Sequence, residues 1–220
     1  MATPTLTRPA RRKAPKPTLV LFVRHGTTPT TGQVLPGRAP GLHLADTGRA
    51  QAAAVAERLA GRRVAAVYAS PLERTKETAG PIATQLGQRV KVERGLLECD
   101  FGAWTGGSLK ELSKRPEWTT VQRYPSGFRF PGGESFSGMQ ARMVETVVSL
   151  CARHRGETIV AVSHADPIKA VVADALGTHL DLFQRIVISP CSVTAISYGP
   201  TGPAVLAVNS TGTLAELQSS

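Results

Sequence analysis

Three short runs of apolar, β-favouring residues constrain the fold of this chain more than any other feature. The runs are TLVLFV at residues 18–23, VAAVYA at residues 64–69 and TIVAVS at residues 158–163. Each run is apolar without alternation, which is typical of a strand buried on both faces of a parallel sheet. Helical patterns lie between and after them. The sequence therefore predicts an α/β fold, a three-layer α/β/α sandwich with a mostly parallel central sheet.

The remaining segments fill in this pattern. We expect helices at residues 46–60, 71–86, 108–114, 134–154 and 167–176, and further strands at residues 89–92, 186–188, 193–198 and 205–208. Ser70, Pro71 and Glu73 form a capping-box pattern at the start of the second helix. Asp46 is expected to cap the first helix, because Ala45 has no side-chain acceptor.

Length and composition favour one soluble domain at residues 18–220. The chain has 220 residues, of which 41% are hydrophobic, and it is shorter than the roughly 250 to 300 residues at which single cores usually divide. No apolar run approaches the about 18 residues that a membrane-spanning helix needs. Residues 1–17 are basic and rich in proline, so we predict a disordered tail.

The formal net charge of +10 points to an anionic partner. The tail at residues 1–17 carries five cations and no acid, which is half of the excess. No aromatic residue is interleaved with these cations, which argues against nucleic acid as the partner. The apolar run that follows ends at Arg24 and is too short for an export signal, whereas an organelle transit peptide stays open as an alternative.

Cysteine and histidine spacing gives no sign of a disulfide framework or a metal centre. Cys99, Cys151 and Cys191 are far apart and odd in number, so the simplest interpretation is a reducing cytoplasm. The five histidines show neither a His-x-His nor a His-Glu-x-x-His pair. We therefore expect neither a metal nor another cofactor.

Basic side chains follow the three principal strands. Arg24 and His25 end the first, His164 ends the third, and Arg74 lies in the first turn of the helix after the second. Ligands of open α/β sheets bind beyond the carboxyl ends of the strands, so these side chains should meet in one crevice. Two guanidinium groups and a helix start suit a phosphate or a carboxylate. A neutral imidazole there can attack phosphorus, and a second one can donate to the phosphate oxygens.

Five motifs occur in an order that resembles a known family. They are Arg24-His25-Gly26, the segment SPLERT at residues 70–75, Leu97-Glu98 with GAWTG at residues 102–106, PGGES at residues 131–135, and Ser163-His164. Over residues 18–208 the chain resembles the histidine phosphatase superfamily, the phosphoglycerate-mutase-like proteins. The segments GRAPGLHL at residues 37–44 and VSHADPIKAVVADALG at residues 162–177 are further similar to a bacterial subgroup described as phosphomutases or phosphatases.

The resemblance implies a role for each matching residue. His25 corresponds to the nucleophile that becomes phosphorylated, and Arg24, Arg74 and His164 correspond to the phosphate pocket. Glu98 corresponds to the general acid that protonates the leaving oxygen and then activates water. Nearby arginines should keep Glu98 ionised, whereas a bound phosphate dianion should raise its pKa.

Four other residues are candidates for the site. The family often has an asparagine seven residues after the arginine, where this chain has Thr31, or Thr30 if the loop shifts the register; a hydroxyl there can still contact phosphate. Asp100 is an alternative acid to Glu98, since both lie on one face of an extended segment. Arg38, on a glycine-rich loop, is within reach of a substrate carboxylate.

Three function classes follow from these residues. The first is a metal-independent phosphomonoester hydrolase that acts on a small phosphorylated metabolite through a phosphohistidine on His25. The alternative is a phosphoglycerate-mutase-type isomerase that returns the phosphoryl group to another hydroxyl, and the third is a phospholigand-binding module without catalysis. An edge strand after Ile186 also leaves a homodimer open.

Overall fold

The computed structural model describes residues 15–212, and it contains one six-stranded sheet. The predicted basic tail therefore lies almost entirely outside the described residues. The strands are β1 (Thr18–Arg24), β2 (Ala66–Ala69), β3 (Val90–Val92), β4 (Thr158–Ser163), β5 (Val193–Gly199) and β6 (Gly202–Ser210). Their order is β3-β2-β4-β1-β5-β6. The first four run parallel, β5 pairs antiparallel with β1, and β6 pairs antiparallel with β5.

Helices connect these strands. They are α1 (Asp46–Arg58), α2 (Glu73–Gln85), α3 (Leu109–Leu112), α4 (Trp118–Arg123), α5 (Phe136–Arg153) and α6 (Ala165–Ala175). Short 3-10 turns occur at Arg94–Leu96, Gly102–Trp104, Pro125–Gly127 and Leu180–Arg185. Between residues 15 and 212, none of the helices combines the length and apolarity needed to cross a membrane.

Alternate residues of the central strands pack on opposite faces of the sheet. Leu21 and Val23 of β1 join the hydrophobic cluster that includes residues of α1 and α2. Val20 and Phe22 join the cluster that includes residues of α5 and α6. Because both faces of β1 are covered by helices, its residues 19–23 are apolar without alternation. The three-layer α/β/α sandwich with a mostly parallel sheet is thus confirmed.

An aromatic cluster organises the irregular segment before α5. Phe130 is 1% exposed, and its ring makes edge contacts with those of Phe101, Trp104, Phe128 and Phe136 at centroid distances of 4.8 to 5.5 Å. The cluster extends to Ala170 and Ala173 of α6. This segment is therefore a packed part of the core in spite of its short helices.

The expected helix caps differ from those in the structure. Helix α2 begins at Glu73, after Leu72, and has no side-chain cap, because the Ser70 hydroxyl is hydrogen-bonded to His164. The first residue of α1, Asp46, pairs with Arg49 and does not cap the helix. Both capping predictions were wrong, since each side chain has another partner.

The predicted strand at residues 186–188 is absent: the backbone bends at Ile186, and the residues after it have no regular secondary structure and lie outside the sheet. Its Ile188 carbonyl accepts a hydrogen bond from Arg24 Nη1 at 2.7 Å. Strand β6 lies at one edge of the sheet, with Leu206 and Val208 exposed. Within the described chain, β6 is thus an edge strand after Ile186, and the homodimer stays a prediction.

Candidate active site

The two histidines lie side by side because their strands are neighbours. Arg24, the last residue of β1, is in register with Ser163, the last residue of β4. His25 and His164 come directly after these residues, and their ring centroids are 5.3 Å apart in an edge-to-face arrangement. Both side chains are buried, with His25 6% exposed and His164 fully enclosed. Strand pairing alone thus brings together residues that are far apart in the sequence.

The ring of His25 is oriented by its neighbour's backbone. Its Nδ1 lies 2.8 Å from the Gly26 carbonyl oxygen, which can only accept, so Nδ1 carries the proton. Nε2 is then left with a free lone pair. Burial, reinforced by the charges of Arg74 and Arg24, lowers the pKa of His25 to about 3. The imidazole is therefore neutral near pH 7, as an attacking nucleophile must be.

His164 is held by Ser70, which follows strand β2. Its Nε2 lies 2.9 Å from the Ser70 hydroxyl oxygen. Nδ1 is buried without a hydrogen-bond partner among residues 15–212. Burial, together with Arg74, His25 and Arg24, lowers the pKa of His164 well below its usual value. With Ser70 as the donor, Nδ1 bears the proton and is available to donate to a bound oxygen.

Two guanidinium groups complete a cationic pocket. Arg74 is completely buried, and its Nη2 donates to the Gly37 carbonyl at 2.8 Å. Its Nε and Nη1, and Nε of Arg24, are buried and have no hydrogen-bond partner in the described part of the chain. Buried donors of this kind are costly unless a partner satisfies them. An oxyanion with several acceptor oxygens would supply such partners.

Glu98 supplies a carboxyl group to the same pocket. It is 7% exposed, and its Oε1 accepts from the Cys99 backbone N–H at 2.9 Å. Burial and the charge of Asp166 raise the pKa of Glu98 to about 7, against the opposing effect of Arg74 and Arg24. The expectation that the arginines keep Glu98 ionised was therefore wrong, because desolvation outweighs them. A carboxyl group with this pKa can both give and take a proton near neutral pH.

The threonine loop after Gly26 does not present Thr31 as an unpartnered donor. The Thr31 hydroxyl oxygen accepts from the Thr28 backbone N–H at 2.8 Å and lies 3.0 Å from the Thr28 hydroxyl. The Thr30 hydroxyl, by contrast, is buried and without a partner among residues 15–212. Of the two hydroxyls, that of Thr30 is thus the one without a partner in the described chain, whereas Thr31 stabilises the loop through Thr28.

The other two candidates are engaged elsewhere. The Asp100 carboxylate accepts from the Gly102 N–H at 3.0 Å and its side chain is 43% exposed, so it is not an equivalent of Glu98. Arg38 donates from Nε to the Glu98 carbonyl at 2.8 Å and from Nη2 to Glu134 at 2.9 Å. Arg38 therefore stabilises the Glu98 segment.

Several residues of the site were missed from the sequence. They are Ser70 as a partner of His164, Gly37 and Ile188 as carbonyl acceptors of the arginines, and Asp166 as the carboxylate that acts on Glu98. Ser70 lies in the SPLERT segment and Asp166 in the segment at residues 162–177, so the signal was present. Nothing in the sequence marks a backbone carbonyl as an acceptor.

Within residues 15–212, no group of three or more His, Cys, Asp or Glu side chains is arranged to hold a metal ion.

Fold and site together define an α/β protein with a buried anion pocket and a neutral histidine at the carboxyl end of its sheet. Comparison with known proteins identifies the family: residues 20–211 match the model of the histidine phosphatase superfamily, branch 1. The chain belongs to this family.

Curated relatives include enzymes that act on phosphate esters. Phosphoserine phosphatase 1 of Hydrogenobacter thermophilus is 30% identical over 193 residues, which cover 82% of this chain and 88% of that protein. The bifunctional protein Rv2228c of Mycobacterium tuberculosis is 36% identical over 203 residues, which cover 90% of this chain and 55% of that protein. The chain thus spans about half the length of some curated relatives.

Solved structures share the fold. A mutant phosphoserine phosphatase from Entamoeba histolytica, in complex with phosphoserine, has a TM-score of 0.81 and 26% identity, covering 90% of this chain and 99% of that one. The mycobacterial glucosyl-3-phosphoglycerate phosphatase Rv2419c has a TM-score of 0.81 and 24% identity, covering 89% of this chain and 100% of that one. The second likeness supports the fold alone.

Proposed function

We propose that this protein is a metal-independent phosphomonoester hydrolase that works through a phosphohistidine on His25. One observation carries the proposal: a neutral imidazole with a free lone pair on Nε2 lies in a buried pocket, beside guanidinium nitrogens of Arg24 and Arg74 that have no partner among residues 15–212. Such a pocket favours a compact anion, and the free lone pair gives it a nucleophile. Membership of the histidine phosphatase superfamily supports the same conclusion.

In the first step, the phosphate group of the ester binds to Arg24, Arg74 and His164. Nε2 of His25 attacks phosphorus, and the bond between phosphorus and the ester oxygen breaks. Glu98, in its protonated form, gives its proton to the departing oxygen, so an alcohol leaves. The guanidinium groups and His164 Nδ1 stabilise the charge on the equatorial oxygens, which is the main requirement of phosphoryl transfer.

In the second step, water enters in place of the alcohol. The Glu98 carboxylate takes a proton from this water, which attacks phosphorus and displaces His25. Inorganic phosphate and the protonated Glu98 are the products, so the site returns to its first state. The pKa of Glu98 near 7 supports both directions of proton transfer.

The substrate class we propose is a small phosphorylated metabolite. The relatives named phosphoserine phosphatase in Hydrogenobacter and Arabidopsis support an ester of this size. Thr30 is our candidate for a further contact with the phosphate, in the place where we expected Thr31. The phosphatase names among the relatives make a phosphoglycerate-mutase-type isomerase the less favoured alternative.

We place the protein in a reducing compartment, most simply the cytoplasm. All three cysteines are free: Cys99 and Cys191 are buried, and Cys151 is half-buried. Burial raises the pKa of the Cys151 thiol to about 11 and that of Cys191 to about 12, which keeps both in the unreactive thiol form.

His25→Ala tests the proposal directly. The variant should lose at least about 10³-fold in kcat and should form no phosphohistidine, because the nucleophile is absent. The assay measures phosphate release from a panel of small esters and acid-labile phosphate on the protein after a quench. His43→Ala is the matched control, since this histidine is exposed and pairs with Glu77 on the surface.

Two outcomes would contradict the proposal. Undiminished hydrolysis by His25→Ala would remove His25 from the reaction. Isomerisation of 3-phosphoglycerate without appreciable release of phosphate would establish the mutase alternative.

A further inference from the structure

Glu134, in the PGGES motif, joins three segments around the site through its carboxylate. Arg142 of α5 donates to both of its oxygens, from Nε to Oε1 at 2.9 Å and from Nη2 to Oε2 at 3.0 Å. Arg38 donates to Oε2 at 2.9 Å, and the Asp100 backbone N–H donates to the same oxygen at 3.3 Å. Burial opposes ionisation, but Arg142 and Arg38 outweigh it and lower the pKa of Glu134.

The two arginines that Glu134 holds both bind the main chain that carries Glu98. Arg38 Nε donates to the Glu98 carbonyl at 2.8 Å. Arg142 Nη1 donates to the carbonyls of Gly95 and Leu97, at 2.6 and 3.0 Å. These bonds end on backbone oxygens, whereas the Glu98 carboxyl is held by the Cys99 N–H. The network therefore fixes the peptide from which the acid side chain extends.

The same network reaches the phosphate pocket through Gly37. This residue precedes Arg38, and its carbonyl accepts from Arg74 Nη2 at 2.8 Å. Its φ is +52°, and a Cβ there would lie 2.9 Å from the Thr105 hydroxyl oxygen, so glycine suits the position. Gly37 thus contacts Arg74 of the pocket, and the next residue, Arg38, contacts the segment that carries Glu98. Glu134 anchors both residues through its ion pair with Arg38.

We propose that Glu134 is a positioning residue for proton transfer. Through Arg38 and Arg142, it sets the distance between the Glu98 carboxyl and the leaving oxygen of the phosphate ester that His25 attacks. The inference rests on the proposed function. Loss of the Glu134 charge leaves two guanidinium groups without their shared partner, and the Glu98 segment loses its brace. The effect should fall on esters whose leaving oxygen requires a proton.

Glu134→Gln tests this with two substrates of different leaving groups. β-Glycerol phosphate releases an alkoxide, which needs the proton of Glu98, whereas p-nitrophenyl phosphate releases a phenolate that needs none. Misplacement of about 1 Å costs up to about 10²-fold, so we expect phosphorylation of the enzyme by β-glycerol phosphate to slow at least tenfold. Phosphorylation by p-nitrophenyl phosphate should change less than about twofold, since it needs no acid. Single-turnover quenched-flow measures phosphohistidine formation for both.

Two further variants calibrate the result. Glu98→Gln gives the upper limit for a selective loss of rate with β-glycerol phosphate, because it removes the acid itself. Glu111→Gln is the matched control, since Glu111 pairs with Lys114 on the surface, and it should leave both rates unchanged. If Glu134→Gln does not fold, Arg142→Lys keeps the charge but loses the two-oxygen contact, and it should slow β-glycerol phosphate selectively.

An equal slowing of both substrates would overturn the inference, because it would indicate a structural role alone. Unchanged rates for both would overturn it as well. Failure of the proposed function is distinguishable from either result, because the unmodified protein would then form phosphohistidine with neither substrate.

Discussion

Opposing influences set the pKa of the Glu98 carboxyl group. Burial and the neighbouring Asp166 carboxylate favour the neutral form, and the arginines of the pocket favour the charged form. The resulting pKa of about 7 lies far above the usual value of 4.5. Neither influence alone would give it, since desolvation without the arginines would hold the proton too firmly for the second step.

Asp166→Asn should move the alkaline limb of the pH profile to lower pH. Removal of the Asp166 charge takes away a contribution that raises the pKa of Glu98, so the acid loses its proton earlier as pH increases. The logarithm of kcat/KM for an alkyl phosphate, measured from pH 5 to 9, reports this pKa in the free enzyme.

Asp174→Asn is the control for this measurement, because Asp174 is exposed near the end of the same helix, α6. Its profile should coincide with that of the unmodified protein. A profile of Asp166→Asn that shows no displacement would mean that Asp166 does not act on Glu98.

At the scale of elements, the start of α1 lies against the loop that carries His25, the proposed nucleophile. A Cβ on Gly48 would be 2.0 Å from the Thr27 carbonyl oxygen, and one on Gly26 would be 2.6 Å from the Gly48 carbonyl oxygen. The Gly26 N–H also donates to the Thr78 hydroxyl of α2 at 3.0 Å. Two helices therefore fix the backbone whose carbonyl orients His25.

Gly48→Ala should impair catalysis by displacing this loop. The added methyl group must push the Thr27 backbone away, and the movement reaches the Gly26 carbonyl that binds His25 Nδ1. We expect a loss of about tenfold or more in kcat and a destabilisation of about 1 to 3 kcal/mol, as for overpacked sites. Steady-state kinetics and urea unfolding measure the two effects.

Gly80→Ala of α2 provides the comparison, because no atom of residues 15–212 lies within 4 Å of a Cβ at that position. It should change stability by no more than about 1 kcal/mol and leave kcat as it is. Equal effects of the two substitutions would refute the argument from close approach.

The central strands and the histidines and arginines of the pocket could be predicted from the sequence, because each has one clear pattern. The runs ending at Arg24 and Ser163 gave the central strands, and strand ends with basic residues gave the histidines and arginines of the pocket. Prediction failed where a polar side chain had two competing partners, as with Ser70, which binds His164 and leaves α2 uncapped. It also failed at residues 186–188, because a short run of β-branched residues resembles a strand until its hydrogen-bond partners are known. Here the Ile188 carbonyl accepts from Arg24 and pairs with no strand.

At the scale of the whole molecule, two histidines are buried in the neutral form, so the free energy of unfolding depends on pH. The pKa of His25 is lowered from 6.5 to about 3, and that of His164 is lowered as well. Between the lowered pKa of each folded histidine and the unfolded value of 6.5, the unfolded chain binds more protons than the folded chain. Stability is therefore lost as pH falls below 6.5. Glu98 acts in the opposite sense, since its raised pKa makes stability decline from pH 4.5 towards 7.

The two histidines together contribute more to the pH dependence of stability than Glu98 does, so we expect Tm to rise between pH 4.5 and 6.5. His164→Asn should flatten this rise, because one of the two buried bases is gone, and differential scanning calorimetry at several pH values measures it. His43→Asn, at an exposed position, should preserve the slope. A slope that His164→Asn leaves intact would show that His164 does not titrate on unfolding.

The unpartnered nitrogens of Arg74 also bear on the end of the catalytic cycle. Arg74 is completely buried, and two of its donors have no partner among residues 15–212. Under the proposed function we expect these donors to bind inorganic phosphate, the product, as well as the phosphate group of an ester. The released phosphate therefore competes with the next ester molecule for the same pocket. We therefore expect inorganic phosphate to act as a product inhibitor, so that its concentration around the protein limits the rate of turnover.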